Sequence, residues 1–391
     1  MVVALVLLLQ AGVPVTPRHG PGVALPGPAS FTAGTFDPLV LDGIRRGAFP
    51  GAVLVVGSRD TILFAKGYGR LTWSAGSTTP DPDSTLWDLA SLTKVVATTT
   101  ALMLLVERGR VDLTAPVARY VPEFNGPGTA RVTVRHLLTH TSGLRATLPL
   151  YREARDSAAA LRMVFAATPL APPGARTVYS DLNAILLGEI VRRTGGAPLD
   201  IFAAREIFTP LGLEQMLFRP PRRLARRTAP TGLWRGHPVA GVVNDPNAAK
   251  LGGVAGHAGL FATATDVARF ARFMLGEGVF AGRPRLLKAE TIRSFTAIAV
   301  PAGRGASART LGWEALPTGE EVSSAGTLLG PRSYGHTGWT GTSLWIDPDR
   351  GLFVLLLTNR AYAPRARRSF TILKEVRGRV ADAAARAADA R

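Results

Sequence analysis

Apolar runs with strand-like spacing occur near both ends of the chain. Residues 52–56 and 61–65 are two short apolar runs with a Gly-Ser-Arg-Asp turn between them. Residues 342–346 and 352–357 are a second such pair, and their connection contains Pro and Gly. Short apolar runs on either side of such turns predict β-hairpins. We therefore predict one antiparallel sheet that is built from both ends of the chain.

Helical patterns dominate the rest of the chain. Residues 36–48 predict a short helix before the first hairpin, and residues 370–388 predict a closing helix after the second. The main helices predicted between the hairpins are residues 134–138, 157–167, 183–193 and 264–275. The predicted fold class is therefore α/β, with an antiparallel sheet flanked by helices and a mostly helical inserted domain.

The same pattern divides the chain into two predicted domains. The sheet domain takes residues 36–109 and 300–391, and the helical domain takes residues 110–299. Residues 301–332 are rich in Gly, Ser and Pro, which predicts an exposed insertion in the sheet domain. A cleft between the two domains is the natural place for a functional site.

The N-terminal segment differs from the rest of the chain. Residues 2–9 form an unbroken apolar run, and small residues and prolines follow it. This pattern predicts a signal peptide or short anchor over residues 1–18 and a linker over residues 19–35, although no Lys or Arg precedes the run. The run is too short to span a bilayer as a helix. We expect an exported protein that is periplasmic or associated with the cell envelope.

The composition excludes cysteine chemistry and shows a strongly basic chain. The chain has 391 residues and no cysteine, which excludes disulfides, thiolate metal sites and cysteine nucleophiles. Its net charge is +18, carried mostly by scattered arginines with clusters at residues 222–227 and 365–368. No zinc finger or RNA-binding aromatic motif accompanies them, so no nucleic-acid partner is expected. A solvated basic surface is the simpler interpretation, and attraction to an anionic envelope surface is the alternative.

The segment Leu89-Ala90-Ser91-Leu92-Thr93-Lys94 is the most informative stretch of the sequence. It places Ser91 three residues before Lys94, which is one of only five lysines in the chain. Positions i and i+3 share one face of a helix, so the hydroxyl and the amine can meet. A neutral amine at this distance would activate the serine as a nucleophile, and burial should then lower the pKa of Lys94. The alternative is a helix start with a surface lysine.

Four further segments show that the Ser91–Lys94 match is part of a larger motif set. They are Tyr179-Ser180-Asp181, His336-Thr337-Gly338-Trp339, His140-Thr141-Ser142-Gly143-Leu144 and Gly256-His257-Ala258-Gly259-Leu260-Phe261. Together with Ser91 and Lys94 they resemble the serine β-lactamase and penicillin-binding protein superfamily. The resemblance is to the class C-like branch, which includes D-alanyl-D-alanine carboxypeptidases and esterases. Within that branch, residues 248–261 and 357–360 look most like the penicillin-binding protein 4B subgroup of carboxypeptidases.

The resemblance implies roles for these residues and a β-lactamase/transpeptidase-like fold. Ser91 would be the nucleophile, Lys94 its proton acceptor, and Tyr179 would relay a proton to the leaving group. The backbone N–H groups of Ser91 and Trp339 would hold the developing oxyanion. The residues expected to hold substrate are Asp181, His336, Thr337, Gly338 and His257. No cofactor and no metal is expected.

One position departs from the pattern of the branch and another from that of the wider superfamily. Asp181 stands where asparagine is usual, and a carboxylate beside Lys94 favours the ammonium form, which weakens a general base unless Tyr179 takes that role. His336 stands where the wider superfamily has lysine, and a largely neutral imidazole binds a carboxylate less strongly. These departures favour a peptidase or esterase over an efficient β-lactamase.

Structural roles remain as alternatives for some of these residues. Asp181 could be only the N-cap of the following helix. His257 could be a turn residue held by the backbone. His136 and His140 have the i, i+4 spacing of zinc ligands, but no glutamate stands between them as in His-Glu-x-x-His, so a structural loop role is favoured.

The sequence thus predicts a serine hydrolase that works through an acyl-enzyme on Ser91. A D-Ala-D-Ala carboxypeptidase-like enzyme is the leading prediction, with a peptidoglycan stem peptide or a small acyl compound as substrate. A promiscuous carboxylesterase or weak β-lactamase is the second interpretation. A catalytically weak envelope protein that binds peptidoglycan is the third.

Overall fold

A computed structural model describes residues 31–303, 307–316 and 323–391. The predicted signal peptide and most of the predicted linker lie outside these residues. The strands are β1 (Gly51–Ser58), β2 (Ile62–Gly69), β3 (Trp87–Asp88), β4 (Leu217–Phe218), β5 (Gly232–Trp234), β6 (His237–Val239), β7 (Leu260–Ala262), β8 (Glu314–Ala315), β9 (Tyr334–Thr337), β10 (Ser343–Asp347) and β11 (Leu352–Thr358).

Helices account for most of the remaining regular structure. The α-helices are α1 (Ala33–Arg45), α2 (Thr100–Glu107), α3 (Val134–Leu138), α4 (Leu150–Glu153), α5 (Ser157–Phe165), α6 (Asp181–Gly195), α7 (Leu199–Ala203), α8 (Thr209–Leu211), α9 (Pro246–Lys250), α10 (Ala264–Leu275), α11 (Ala289–Thr296) and α12 (Ser369–Asp389). Two segments are π-helical, Lys94–Thr99 and Ala204–Phe208. Short 3-10 turns lie at Val117–Arg119, Thr129–Arg131 and Arg222–Arg227.

The main sheet joins the two ends of the chain. Its strand order is β2-β1-β11-β10-β9-β8, and every neighbouring pair is antiparallel. The two predicted hairpins are β1–β2 and β10–β11, and both predictions are confirmed. Strand β1 pairs with β11 from Ala52 opposite Thr358 to Ser58 opposite Leu352. A single sheet therefore depends on segments about 300 residues apart.

Both faces of this sheet are covered, which explains its continuous apolar strands. Because side chains alternate along a strand, Ala52, Leu54 and Val56 of β1 share one face and pack in a cluster with α1 and α12. Val53 and Val55 point to the opposite face and belong to the larger core. On that side, α10 contacts both β1 and β11. The sheet is thus a central layer between two helical layers.

Helix α6 is a largely buried helix in the part of the chain between the two hairpins, and its first residue is Asp181. Ser180 is the N-cap, and its hydroxyl accepts a hydrogen bond from the backbone N–H of Asn183. Gly196 ends the helix in the left-handed conformation with φ 73°, which glycine adopts without strain. Most side chains between these two ends are buried. Local capping therefore fixes where the first turn of α6 lies.

The segment predicted as an exposed insertion is partly buried. Among its described residues, Arg309, Leu311, Trp313 and Ala325 have less than a tenth of their surface exposed. Trp313 packs edge-on against Tyr334 with 5.1 Å between ring centroids. The prediction was therefore wrong for these residues, because Gly and Ser content does not show which intervening apolar side chains reach the core. Among the described residues, no helix is both long and apolar enough to cross a membrane.

Candidate active site

Ser91 lies in a tight turn just before a buried helical segment. Ala90 has a φ of 47°, which is uncommon for a residue with a Cβ. The turn is held because the backbone N–H of Ala90 donates to the carboxylate of Asp88 at 2.9 Å. Ser91 is half-buried, and its Oγ accepts a hydrogen bond of 2.9 Å from the Nζ of Lys94. The two predicted residues therefore meet at the start of one helical segment.

Lys94 is held as an ammonium ion. Its Nζ forms an ion pair of 2.8 Å with Asp181 and donates to the carbonyl of His257 at 3.1 Å. Burial alone would lower the pKa of Lys94, but interactions with Tyr179 and Asp181 outweigh burial and leave that pKa above its ordinary value. The expectation of a lowered pKa for Lys94 was therefore wrong. An ammonium group has hydrogen-bond donors and no acceptor.

Tyr179 stands directly over this ammonium in a positive environment. The Nζ of Lys94 is 4.9 Å from the centroid of the tyrosine ring, and the guanidinium of Arg309 is 5.6 Å from it. The rings of His140 and His336 flank the same ring at 4.7 Å and 5.7 Å. Two cations and two imidazoles therefore surround this phenol ring.

The two flanking imidazoles are neutral. Burial is the main reason that the pKa of His140 lies well below its ordinary value. Burial, with the nearby charges of Lys94 and Arg309, lowers the pKa of His336 to about 3. Nδ1 of His336 lies 2.8 Å from the carbonyl of Thr337, so the neutral ring donates there. Its Nε2 is buried without a hydrogen-bond partner among the described residues.

The oxyanion turn, residues 338–342, follows strand β9 and lies against the nucleophile turn. Trp339 is in this turn, not in the strand, and its side chain is exposed. A Cβ on Gly338 would stand 2.7 Å from the carbonyl oxygen of Leu89, so only glycine permits this close approach. Within the described part of the chain, the backbone N–H groups of Ser91 and Trp339 donate no hydrogen bond. Both remain free for an oxyanion.

Two buried arginines hold the oxyanion turn from behind. Arg377 of α12 donates to the carbonyls of Gly338 at 3.4 Å and Thr342 at 2.7 Å. Arg360 donates to the carbonyl of Trp339 at 2.6 Å. In a planar trans peptide the C=O and N–H point in opposite directions. Because the Gly338 carbonyl points towards Arg377, the N–H of Trp339 points away from Arg377.

His257 is almost completely buried, so its side chain is not open to a substrate in this structure. Its Nε2 lies 3.0 Å from Asp245, whose pKa is about 2, since hydrogen bonding and charge from His257 outweigh the effect of burial. The carbonyl of His257 is a partner of Lys94. Asp181, Asp245 and His257 bring potential ligand atoms within 4.8 Å of one another, but these atoms already bond to Lys94 and to each other.

The structure gives different roles to other residues that the sequence left open. Asp181 is the first residue of α6 and pairs with Lys94, whereas Ser180 is the N-cap. His136 forms a capping box with Thr133, and Nδ1 of His140 accepts from the backbone of Ser180 at 3.1 Å. The two histidines therefore do not share a site.

Sequence analysis missed four charged residues that support the site. These residues are Asp245, Arg309, Arg360 and Arg377. Arginine and aspartate are common in this chain, and none of the four belongs to the motifs that identified Ser91. The sequence alone therefore does not distinguish these four residues from the many charged residues at the surface.

This fold and this site define a serine hydrolase. The chain belongs to the Beta-lactamase family, whose model matches residues 36–377. A curated relative from Escherichia coli (strain K12), named "Putative D-alanyl-D-alanine carboxypeptidase", is 32% identical over 357 residues, with 81% of this chain and 80% of the relative covered. The resemblance predicted from the motifs is thereby confirmed.

Solved structures confirm the predicted fold. A penicillin-binding protein homologue from Caulobacter crescentus has a TM-score of 0.70 at 22% identity, with 90% of this chain and 97% of that chain covered. EstCE1, described as a hydrolase with promiscuous acyltransferase activity, has a TM-score of 0.72 at 21% identity, covering 90% of this chain and 98% of that chain. The fold is therefore β-lactamase/transpeptidase-like.

Proposed function

We propose that this protein is a D-Ala-D-Ala carboxypeptidase-like enzyme that works through an acyl-enzyme on Ser91. The observation that carries the proposal is the cluster of Ser91, ammonium Lys94 and Tyr179. This cluster supplies a nucleophile, a fixed positive charge and a proton acceptor. Peptidoglycan lies outside the cytoplasmic membrane, so the proposal includes export of the protein.

Arg309 supports a substrate that ends in a carboxylate. Its guanidinium lies beside Tyr179, and its Nε and Nη1 are buried without a hydrogen-bond partner. Among the described residues, Arg309 forms no ion pair. An arginine fork binds a carboxylate through two parallel hydrogen bonds. A terminal D-Ala carboxylate would meet this unpaired cation on the Tyr179 side of the cleft.

In the proposed acylation, Ser91 Oγ attacks the carbonyl carbon of the D-Ala-D-Ala bond, and its proton passes to the oxygen of Tyr179, which acts as the proton acceptor. The N–H groups of Ser91 and Trp339 bind the oxyanion of the tetrahedral intermediate. When the C–N bond breaks, Tyr179 gives its proton to the leaving amine and free D-Ala departs.

Deacylation reverses the proton path. Water attacks the acyl-Ser91 ester and gives a proton to Tyr179, which passes it to Ser91 Oγ as the C–O bond to serine breaks. Lys94 keeps its proton throughout, because Asp181 and the carbonyl of His257 stabilise the ammonium. Its role in the proposal is to hold a positive charge beside the ring of Tyr179.

A labelled penicillin and a fluorophosphonate test the nucleophile. Both probes should modify Ser91 in the wild-type protein, as located by mass spectrometry of the labelled peptide. Ser91→Ala should abolish labelling, whereas Ser157→Ala, a change at an exposed serine at the start of α5, should not. Labelling that persists in Ser91→Ala would overturn the assignment.

A substrate panel separates carboxypeptidase from esterase activity. The neutral His336 lacks the charge that would strengthen carboxylate binding, and this favours a carboxylesterase as the second candidate. Release of D-Ala from a D-Ala-D-Ala peptide should be measured beside hydrolysis of p-nitrophenyl acetate and nitrocefin. For a carboxypeptidase, Arg309→Gln should reduce D-Ala release by at least tenfold relative to p-nitrophenyl acetate. Equal losses on both substrates would favour the esterase.

A further inference from the structure

One buried carboxylate bonds to two separate backbone segments beside the site. Asp88 ends strand β3 just before the nucleophile turn, and it is only 2% exposed. Its Oδ1 accepts a hydrogen bond of 2.9 Å from the backbone N–H of Ala90. Its Oδ2 accepts one of 2.7 Å from the backbone N–H of Asn244. Each carboxylate oxygen therefore fixes one of two segments that are distant in the chain.

The first of these bonds fixes the turn that carries the nucleophile. Ala90 has a φ of 47°, and a residue with a Cβ stays in this left-handed conformation only where its surroundings fix it. The carboxylate of Asp88 is such a contact, and Ser91 is the next residue along the chain. Loss of this bond should therefore displace the hydroxyl of Ser91 from Lys94.

The second bond fixes the loop that supports Lys94. Asn244 is followed by Asp245, whose carboxylate lies 3.0 Å from Nε2 of His257. The carbonyl of His257 in turn accepts from Nζ of Lys94 at 3.1 Å. Asp88 therefore acts on the lysine through this loop and on the nucleophile through the turn.

The backbone of the same short segment contacts the oxyanion turn. The hydroxyl of Thr340 donates to the carbonyl of Asp88 at 2.8 Å, and that of Thr342 donates to the carbonyl of Leu89 at 2.9 Å. The nucleophile turn, the loop behind Lys94 and the oxyanion turn therefore all bond to Asp88 or to its neighbour.

The carboxyl group of Asp88 changes charge near pH 6. Burial raises its pKa to about 6, although hydrogen bonds from the backbones of Asn244 and Ala90 oppose the rise. On β7, the residue paired with Asp88 is the apolar Phe261. Above about pH 6 both oxygens are acceptors. Below about pH 6 one oxygen becomes a hydroxyl, which is a poorer partner for an N–H.

Charged groups in the adjoining segments leave this titration to burial and one carboxylate. Asp245 acts on Asp88 from the adjoining loop, and its negative charge adds to the rise in pKa. Lys94, after the nucleophile turn, directs its ammonium to Asp181. Arg360 directs its guanidinium to the backbone of the oxyanion turn.

We propose that Asp88 is a positioning residue that fixes the nucleophile turn and the Asn244 loop for acyl transfer, and that its ionisation makes this positioning depend on pH. The inference rests on the proposed acyl transfer at Ser91. In acid the bonds to the two segments weaken, so the reaction of Ser91 should slow. Displacing a reacting group by about 1 Å can cost about a hundredfold in rate.

The rate at which a fluorophosphonate labels Ser91 tests this role without a chosen substrate. The second-order rate constant should be measured from pH 5 to 9 for the wild type and for Asp88→Asn, whose amide can accept from only one of the two N–H groups. The wild-type rate divided by the variant rate cancels the titration of groups that both proteins share. This ratio should be about tenfold at pH 8 and should fall towards one at pH 5.

Asp266→Asn is the matched control. Asp266 is also 2% exposed, and its carboxylate accepts from the backbone N–H of Gln215 at 2.6 Å, but it lies on α10. Its ratio should stay near one across the pH range. Asp88→Glu keeps a carboxylate and should be labelled faster than Asp88→Asn at pH 8. Circular dichroism at each pH checks that every variant is folded.

The outcomes separate this inference from the proposed function. A ratio for folded Asp88→Asn that is near one, or that stays constant with pH, overturns the inference, because a purely structural role would not change with pH. A wild-type rate that does not fall from pH 8 to pH 5 also overturns it, and that measurement requires no variant. Labelling of Ser91 without release of D-Ala from a D-Ala-D-Ala peptide removes the carboxypeptidase proposal, whereas the ratio still decides the role of Asp88. Absence of labelling at Ser91 in the wild type overturns both.

Discussion

At the scale of single residues, the charge state of Lys94 determines the proposed mechanism. A buried lysine without a partner would lose its proton readily, since burial disfavours the charged form. Here Asp181 lies 2.8 Å away and a backbone carbonyl completes the environment. The ammonium is therefore retained, and the proposed mechanism assigns proton acceptance to Tyr179.

The variant Asp181→Asn tests this division of roles. Asp181 raises the pKa of Lys94, so its removal should lower that pKa. If activity requires the ammonium, the basic limb of the pH profile of kcat/KM should then move to lower pH. The measurement is ester hydrolysis across pH 5 to 11, and Asp181→Glu, which keeps the charge, should leave that limb close to the wild-type position. A gain in activity at neutral pH, with the acid limb moved down, would mean that neutral Lys94 is the base.

At the scale of secondary structure elements, the oxyanion turn depends on helix α12. Arg377 is 2% exposed and has no ion pair among the described residues, and burial lowers its pKa to about 9. A buried cation of this kind is costly unless it bonds to fixed acceptors. The carbonyls of Gly338 and Thr342 provide them, so α12 and the turn hold each other in place.

Replacing Arg377 should therefore impair the reaction more than it impairs substrate binding. We expect Arg377→Met to lower kcat for p-nitrophenyl acetate by about ten- to a hundredfold, with a smaller change in KM, because the turn aims a donor at developing charge. Arg377→Lys should retain more activity. Arg379→Met is the matched control, since Arg379 lies on the same helix and pairs at the surface with Asp42. Folding is checked by circular dichroism, and an unchanged kcat in folded Arg377→Met would contradict the prediction.

At the scale of the whole molecule, one sheet joins the two ends of the chain. Strand β1 precedes the nucleophile turn, and β11 pairs with it after the chain has passed through the helical part. The oxyanion turn connects β9 to β10 in the same sheet. The nucleophile turn follows β3 of a separate sheet, and hydrogen bonds from Thr340 and Thr342 to the carbonyls of Asp88 and Leu89 join it to the oxyanion turn.

Substitutions of core residues that face each other across β1 and β11 should show how much this strand pair stabilises the fold. Leu54 and Leu356 are opposite each other and fully buried in the cluster with α1 and α12. Each change to alanine should lower the free energy of unfolding by about 2–5 kcal/mol. The double variant should differ from the sum by at least about 0.5 kcal/mol, since the residues are neighbours.

Guanidinium unfolding followed by circular dichroism and by loss of ester activity measures these effects. The two signals should change together, because the oxyanion turn connects two strands of this sheet. Ile62→Ala at the exposed start of β2 is the control and should have a smaller effect. Loss of activity well before loss of secondary structure would mean that the site opens independently of the sheet.

The sequence by itself determined the features that depend on local spacing. Short apolar runs on either side of turn residues identified both hairpins, and the three-residue separation of Ser91 and Lys94 placed their side chains on one face. The motifs were also sufficient to identify the family. These properties can be predicted because they are set by neighbouring residues along the chain.

Only the tertiary structure decided the electrostatics of the site. Lys94 is an ammonium because Asp181, 87 positions later, lies beside it, and no local pattern gives that distance. Arg309 and Arg377 could not be separated from the many surface arginines until their burial and partners were known. Charge state and burial depend on contacts between distant segments, so the roles of these residues follow from the fold.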